Sequence, residues 1–208
     1  MFAPGAVRFL GPVAVGAVGV ALLGALGIWT PLGVPLLLAV GLAALFGFFA
    51  WFFRDPERTP GSDIVSAADG RVRAVQVEGD RLVISVFMNV TNVHVNRFPL
   101  AATVREVSTS GAGHRPAYRA DAHHNVQRTY RLDTAIGAVE VVQMTGILAR
   151  RLVAFVAPGD RREKGARLGM IVLGSRVDVR LPADRAEAIV AVGARVRAGA
   201  TAIARERA

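Results

Sequence analysis

The sequence predicts a mainly β domain behind an apolar helical hairpin, and three observations predict it. Charge is segregated: residues 1–53 hold one charged residue, Arg8, while 24 basic and all 16 acidic residues lie in 54–208. Two long uncharged runs fill the N-terminal part. Beyond Pro60, short runs of Val, Ile and Thr are punctuated by Asp69-Gly70, Gly79-Asp80 and Asn residues, and "RVRAVQV" alternates visibly. That is the pattern of turn-linked strands. The expected division is 1–53 for an anchoring hairpin and 54–208 for the β-rich domain.

Phe9 to Trp29 is an uncharged run of 21 residues and Leu32 to Phe53 another of 22, separated by Thr30-Pro31. Each suffices for a helix across a hydrocarbon core of roughly 30 Å. A cleaved signal peptide fits poorly, because the apolar region continues through a second run. The expectation is a transmembrane or re-entrant hairpin turning near Pro31, with a wholly buried core hairpin as the competing geometry. "FGFFAWFFR" reads as an interfacial aromatic belt. Arg8 before the first run and Arg54 and Arg58 after the second place both ends, and the domain, on the cytoplasmic side of a cell membrane.

The remaining 155 residues carry net charge +8 and one Lys, Lys164; the other basic residues are Arg. Arg suits bidentate contact with phosphate and carboxylate. The chain has no Cys, which excludes disulfides, thiolate catalysis and Cys-based metal sites. Strands are expected at 138–145 and 151–157. The C-terminal part holds a weak repeat: "VAPGDRREKGARLGMI" (156–171) resembles "VAVGARVRAGATAIAR" (190–205), aligning Gly159 with Gly193 and Gly165 with Gly199 at a period of 34. Strand, Gly turn, basic hairpin, Gly, strand is a pattern of barrel-sandwich modules such as lipoyl domains, so the fold expected is barrel-sandwich-hybrid-like. Lys164 beside Gly165 does not match a lipoylation site.

Four His residues are available: 94, 114, 123 and 124. His94 stands in "MNVTNVHVNRFP", where a structural histidine is the plain alternative to a catalytic one. His123-His124 lies in polar sequence that suits a solvated loop as well as a metal. No HExxH, Cys/His zinc pattern, P-loop or GxGxxG occurs, so no metal is expected. Asp69 in "SAADGRV" fits a turn without further function. Ser175 lacks a GxSxG elbow, yet "MIVLGSRVDV" (170–179) sets a Gly-Ser pair inside a good strand, where Gly marks a bulge or a close backbone approach. The basic surplus lacks interleaved aromatics, which favours anionic lipid over nucleic acid as a partner.

Taken together and in order, "FFRDPER" (52–58), "SAADGRV" (66–72), "ISVFMNVTNVHVNRFP" (84–99), "VVQMTGILARRLV" (141–153) and "GARLGMIVLGSRVDVRLP" (165–182) resemble the short, membrane-associated form of phosphatidylserine decarboxylase. The "ADG…VHVNR…P" part alone also resembles barrel-sandwich domains of sugar phosphotransferase carriers and some metallopeptidases. The Gly-Ser strand separates them.

The resemblance implies a proenzyme that cleaves itself between Gly174 and Ser175, turning Ser175 into a covalent pyruvoyl cofactor that serves as an electron sink for decarboxylation. It implies phosphatidylserine as substrate, phosphatidylethanolamine and CO2 as products, and a heterodimer of 1–174 with 175–208. It also makes the lipid bilayer a partner and leaves room for a homo-oligomer. Asp69 and His94 become the candidate bases beside Ser175, as in a Ser-His-Asp arrangement. The long form of the family carries two His in this segment; here His94 matches the first and Arg97 stands at the second. His94 is thus left for cleavage, decarboxylation or both. Arg97 and Arg176 are the candidates for holding the lipid phosphate. The alternatives are a membrane-anchored β-barrel binding module, in which Gly174-Ser175 is structural, and a phosphocarrier or hydrolase using His94.

Overall fold

The computed structural model describes residues 1–25, 33–113, 124–146, 151–172 and 175–207. It divides into two units, Met1–Pro56 and Glu57–Ala208. In the first, helix α1 (Val7–Ala25) and helix α2 (Gly33–Phe52) pack together, with Gly16 of α1 beside Leu42 of α2. Phe9 stacks on Phe53 at 4.9 Å between ring centroids, and Ala3 N–H donates to the Phe53 carbonyl. Outward-facing Val15, Leu22, Leu37 and Val40 leave both helices apolar on their exposed sides. By length and composition α1 can cross a hydrocarbon layer, with a mean hydropathy of 1.8 over its best window. The turn expected at Thr30-Pro31 lies outside the described residues.

The second unit is β, as expected. Its early strands are β1 (Ile64–Val65), β2 (Gly70–Glu78), β3 (Arg81–Met88), β4 (Val95–Arg97) and β5 (Ala102–Ser110). Then come β6 (Gln127–Thr134), β7 (Gly137–Thr145), β8 (Arg151–Ala154), β9 (Arg161–Arg162) and β10 (Arg167–Val172). The last are β11 (Ser175–Pro182), β12 (Ala186–Ala188), β13 (Arg195–Val196) and β14 (Ala202–Glu206). They form an eight-stranded sheet, β13-β2-β3-β11-β7-β6-β5-β9, and two three-stranded sheets, β1-β14-β12 and β4-β10-β8. Period-2 patterning decides which face is buried. In β11, Val177, Val179 and Leu181 enter the core beside Val86, Ile84 and Leu82 of β3, while Arg176, Asp178 and Arg180 take the other face.

The 34-residue repeat is structural. Gly159 and Gly193 both have positive φ, as do Gly165 and Gly199. Gly159 N–H donates to Val104 O and Val104 N–H returns to Asp160 O; Gly193, Val72 and Ala194 repeat the exchange. Strand β9 pairs with β5 as β13 pairs with β2, and β10 pairs with β4 as β14 pairs with β1. Each half therefore combines an early segment with a late one. Arg97 spans the two Gly turns, donating to Gly165 O at 2.9 Å while its Cδ fills the space over Gly199.

Candidate active site

Three strands of the large sheet continue into the three strands of a small one. β3 leads to β4, β7 to β8, and β10 to β11, and the order β3-β11-β7 is matched by β4-β10-β8. All four pairings are antiparallel, so the three strand-to-strand transitions meet along one seam. In the middle, β10 ends at Val172 and β11 begins at Ser175, and residue 173 and Gly174 lie outside the described residues. Ser175 opens β11, in register with Met88 on one side and Thr145 on the other.

His94 sits on the adjacent crossing, one residue before β4, and is 1% exposed. Its carbonyl accepts from Ile171 N–H of β10, which ties it to the strand that runs into Gly174. Its Nδ1 lies 2.9 Å from the Asn92 carbonyl. A carbonyl only accepts, so Nδ1 carries the proton and the lone pair of the neutral ring is on Nε2. The structure puts His94 in the connection before β4, where its ring is set by the Asn92 turn.

Asp69 lies at the same end, immediately before β2, but its carboxylate is committed elsewhere. Arg58 donates to both its oxygens, at 2.8 Å for Oδ2, and Ala198 N–H donates to Oδ1 at 2.8 Å. Arg58 also reaches the Ala198 carbonyl. Arg58 was expected as a membrane flank; it belongs to the β unit and pairs with Asp69 there. Strands β2, β3 and β11 are neighbours, so Asp69 stands roughly 10 Å of backbone from Ser175. Gly70 seats this corner: a Cβ there would fall 2.1 Å from Phe87 O.

The two arginines expected at the phosphate have other partners. Arg97 is buried between the Gly turns. Arg176 forms a bidentate pair with the buried Asp178, at 2.7 and 2.8 Å, and donates to Ser85 Oγ at 3.0 Å. It clamps the first turn of pleat after Ser175.

A buried polar chain backs the seam. Tyr130 OH donates to Gln143 Oε1 at 3.1 Å, Gln143 Nε2 to Asn96 Oδ1 at 2.7 Å, and Asn96 Nδ2 approaches the Met88 sulfur at 3.6 Å. Burial pushes the Tyr130 hydroxyl up to about 12 despite nearby Arg128. Gly169 makes room: a Cβ there would meet Tyr130 OH at 2.5 Å and Val153 O at 2.7 Å. Sequence reasoning missed this chain, Thr145 and Asp178. The signal was Gln143 and Thr145 in "VVQMTG", polar residues in a run otherwise fit for a core. Of the other His candidates, His124 is exposed and its carbonyl accepts from Ala112 and Gly113 N–H. His114 and His123 lie outside the described residues.

The family model for phosphatidylserine decarboxylase matches residues 45–204. A Thermobifida fusca protein named phosphatidylserine decarboxylase proenzyme is 46% identical over 171 residues, covering 81% of this chain and 78% of that one. A Halobacterium salinarum protein, provisionally named an archaetidylserine decarboxylase proenzyme, is 43% identical over 90% of this chain and 91% of its own. A Streptomyces coelicolor phosphatidylserine decarboxylase proenzyme is 42% identical over 84% of this chain and 80% of its own.

Proposed function

The chain belongs to the phosphatidylserine decarboxylase family, and we propose that it cuts itself between Gly174 and Ser175 and then converts phosphatidylserine to phosphatidylethanolamine and CO2. The observation that carries the reading is the seam. Position 175 opens the central strand of three crossings, and His94 sits on the crossing beside it.

In the cleavage, His94 Nε2 takes the Ser175 hydroxyl proton and the oxygen attacks the Gly174 carbonyl carbon. The C–N bond breaks as the C–O bond forms, and the freed amine takes a proton. Loss of the Ser175 Cα proton expels the Gly174 carboxylate and leaves dehydroalanine, whose reaction with water releases ammonia. Asp69 acts as a positioning residue, because its oxygens hold Arg58 and the Ala198 amide and thereby fix the start of β2 against β13.

The residues fit a group made at position 175. After a cut, β11 stays in register with β3 over eight residues and with β7 over six, and Arg176 remains fastened to Asp178. A carbonyl at residue 175 supplies a sink for the electron pair left when the substrate carboxylate departs as CO2. The cut chain would stay a heterodimer of 1–174 and 175–208, since β11 to β14 contribute to two sheets. Unit Met1–Pro56 would sit in the bilayer with its substrate. Arg8 and Arg54 are its flanking charges, the latter 4.2 Å over the Trp51 ring, which favours the cytoplasmic side.

A phosphocarrier reading is not favoured, because His94 is 1% exposed and a partner's phosphoryl group cannot reach a buried ring. Diacyl and archaeal ether lipids share the headgroup, so both are expected to turn over. Incubation with either lipid should release CO2, and the Ser175→Ala chain should release none. Release by that variant would overturn the reading.

A further inference from the structure

Beside Asp69 opens a concavity of about 940 Å3 lined by Arg71, Arg73, Arg195 and Arg197 together with Asn89 and Asn92. All four arginines are exposed, and among the described residues none has an acidic partner. Four such arginines lining one concavity is what sets it apart. The smaller concavity of about 290 Å3 at Arg105 and Arg131 is internally neutralised, since Arg105 pairs with Asp133 and Arg131 with Glu106 and Glu140. Arg180, Arg162, Arg205 and Arg176 also have carboxylates. Asp69, the one acid among the described residues lining the larger cleft, is already taken by Arg58.

The fold explains the cluster. Arg71 of β2 stands directly opposite Arg195 of β13, so two like charges share one register row, an arrangement that destabilises unless an anion answers it. Arg73 falls in the bulge between Val72 and Ala74, which re-aims it. One guanidinium nitrogen of Arg71 donates to Gly193 O at 2.9 Å, which fixes that end of the fork near the Gly turn and leaves its other N–H groups for a ligand. Phe87 also lines the cleft and is in register with Arg71 and with Arg176. The next residue, Met88, pairs with Ser175, and the β3–β4 connection that lines the cleft also carries His94.

We infer that this arginine cleft holds the phosphate of the lipid headgroup while the serine moiety reaches residue 175. This rests on the decarboxylase reading and moves the phosphate role from Arg97 and Arg176 to Arg71, Arg73, Arg195 and Arg197. Arg71 and Ser175 are separated by β3, roughly 10 Å of backbone, and by one register row, so the headgroup would pass around the start of β11, where that strand begins at residue 175. Arginine forks bind phosphate bidentately and stay charged at every working pH.

The test uses the full processed chain in neutral detergent with monomeric dihexanoyl phosphatidylserine, and compares R71Q/R195Q with R71K/R195K. Self-cleavage on a gel is read first. The Gln pair should cleave normally, raise KM about tenfold and leave kcat within about twofold, and the Lys pair should fall between it and the parent. Glycerophosphoserine should inhibit the parent competitively and the Gln pair far less. Unchanged KM and inhibition in a Gln pair that cleaves normally would overturn the cleft assignment and leave the decarboxylase reading standing. So would a defect that appears only on phosphatidylglycerol vesicles, which would make the cleft a membrane-docking patch. A parent chain that neither cleaves nor decarboxylates would instead overturn the decarboxylase reading.

Discussion

Asp69 is held by three N–H donors, none of them on His94, and that changes what its substitution should do. Asp69→Asn leaves Arg58 without its counter-charge at a site where both side chains are about one-tenth exposed. Removing one partner of a largely buried pair costs about 3 kcal/mol. Asp69→Asn and Arg58→Gln should therefore share a phenotype, slower self-cleavage and lower stability, and the double variant should be little worse than either. Additive effects in that cycle would detach Asp69 from Arg58 and return it to a direct role at Ser175. The residue pattern showed Asp69 and His94 as candidates, because "SAADGRV" and "VHVNR" stand out locally. It did not show Arg58 as the partner, since a positive residue shortly after an apolar run reads as a membrane flank. Nor did it separate Arg97 and Arg176 from the cleft arginines, for a charge carries no sign of what neutralises it until the fold brings Asp178 or the Gly165 carbonyl to it.

At the scale of elements, the late halves of the repeat were legible because their glycines hold positive-φ turns at a fixed spacing. The early halves were not. "SAADGRV" and "FPLAATV" occupy equivalent places, as Val72 and Val104 show, yet strand pairing through backbone asks for no shared side chains. The two halves diverge where the site is: Asp69 has Ala101 as its counterpart. The three-crossing seam was also hidden, being a property of sheet order rather than of any single strand. Its tightest packing gives a direct check. Gly169→Ala puts a methyl into Tyr130 OH and Val153 O, and the overpacking should cost about 1–3 kcal/mol in denaturant unfolding. Gly70→Ala confronts a backbone carbonyl at 2.1 Å and should cost more. A neutral Gly169→Ala would mean that the polar chain is looser than drawn.

For the whole molecule, the β unit Glu57–Ala208 holds its own continuous core. A chain beginning at residue 57 is expected to fold and cleave itself in solution while losing attachment to neutral vesicles, as sedimentation would show. Tyr130 links the core to pH. An unfolded Tyr ionises near 10, whereas burial holds the folded one at about 12. Its contribution is therefore complete below pH 10 and is lost as pH rises to 12, by about 2–3 kcal/mol. In uncleaved Ser175→Ala protein, Tyr130→Phe should flatten that alkaline loss; an unchanged slope would exclude Tyr130 as its source. The mainly β class and the apolar N-terminus were legible from charge segregation and alternation, which are direct consequences of burial. The central claim is that the chain makes its own cofactor at Ser175, and intact-mass spectrometry of the active protein tests it most directly. Two polypeptides are predicted, residues 1–174 and a 34-residue piece whose first residue has lost its amino nitrogen and resists Edman degradation. An active protein consisting only of the unbroken 208-residue chain would contradict it.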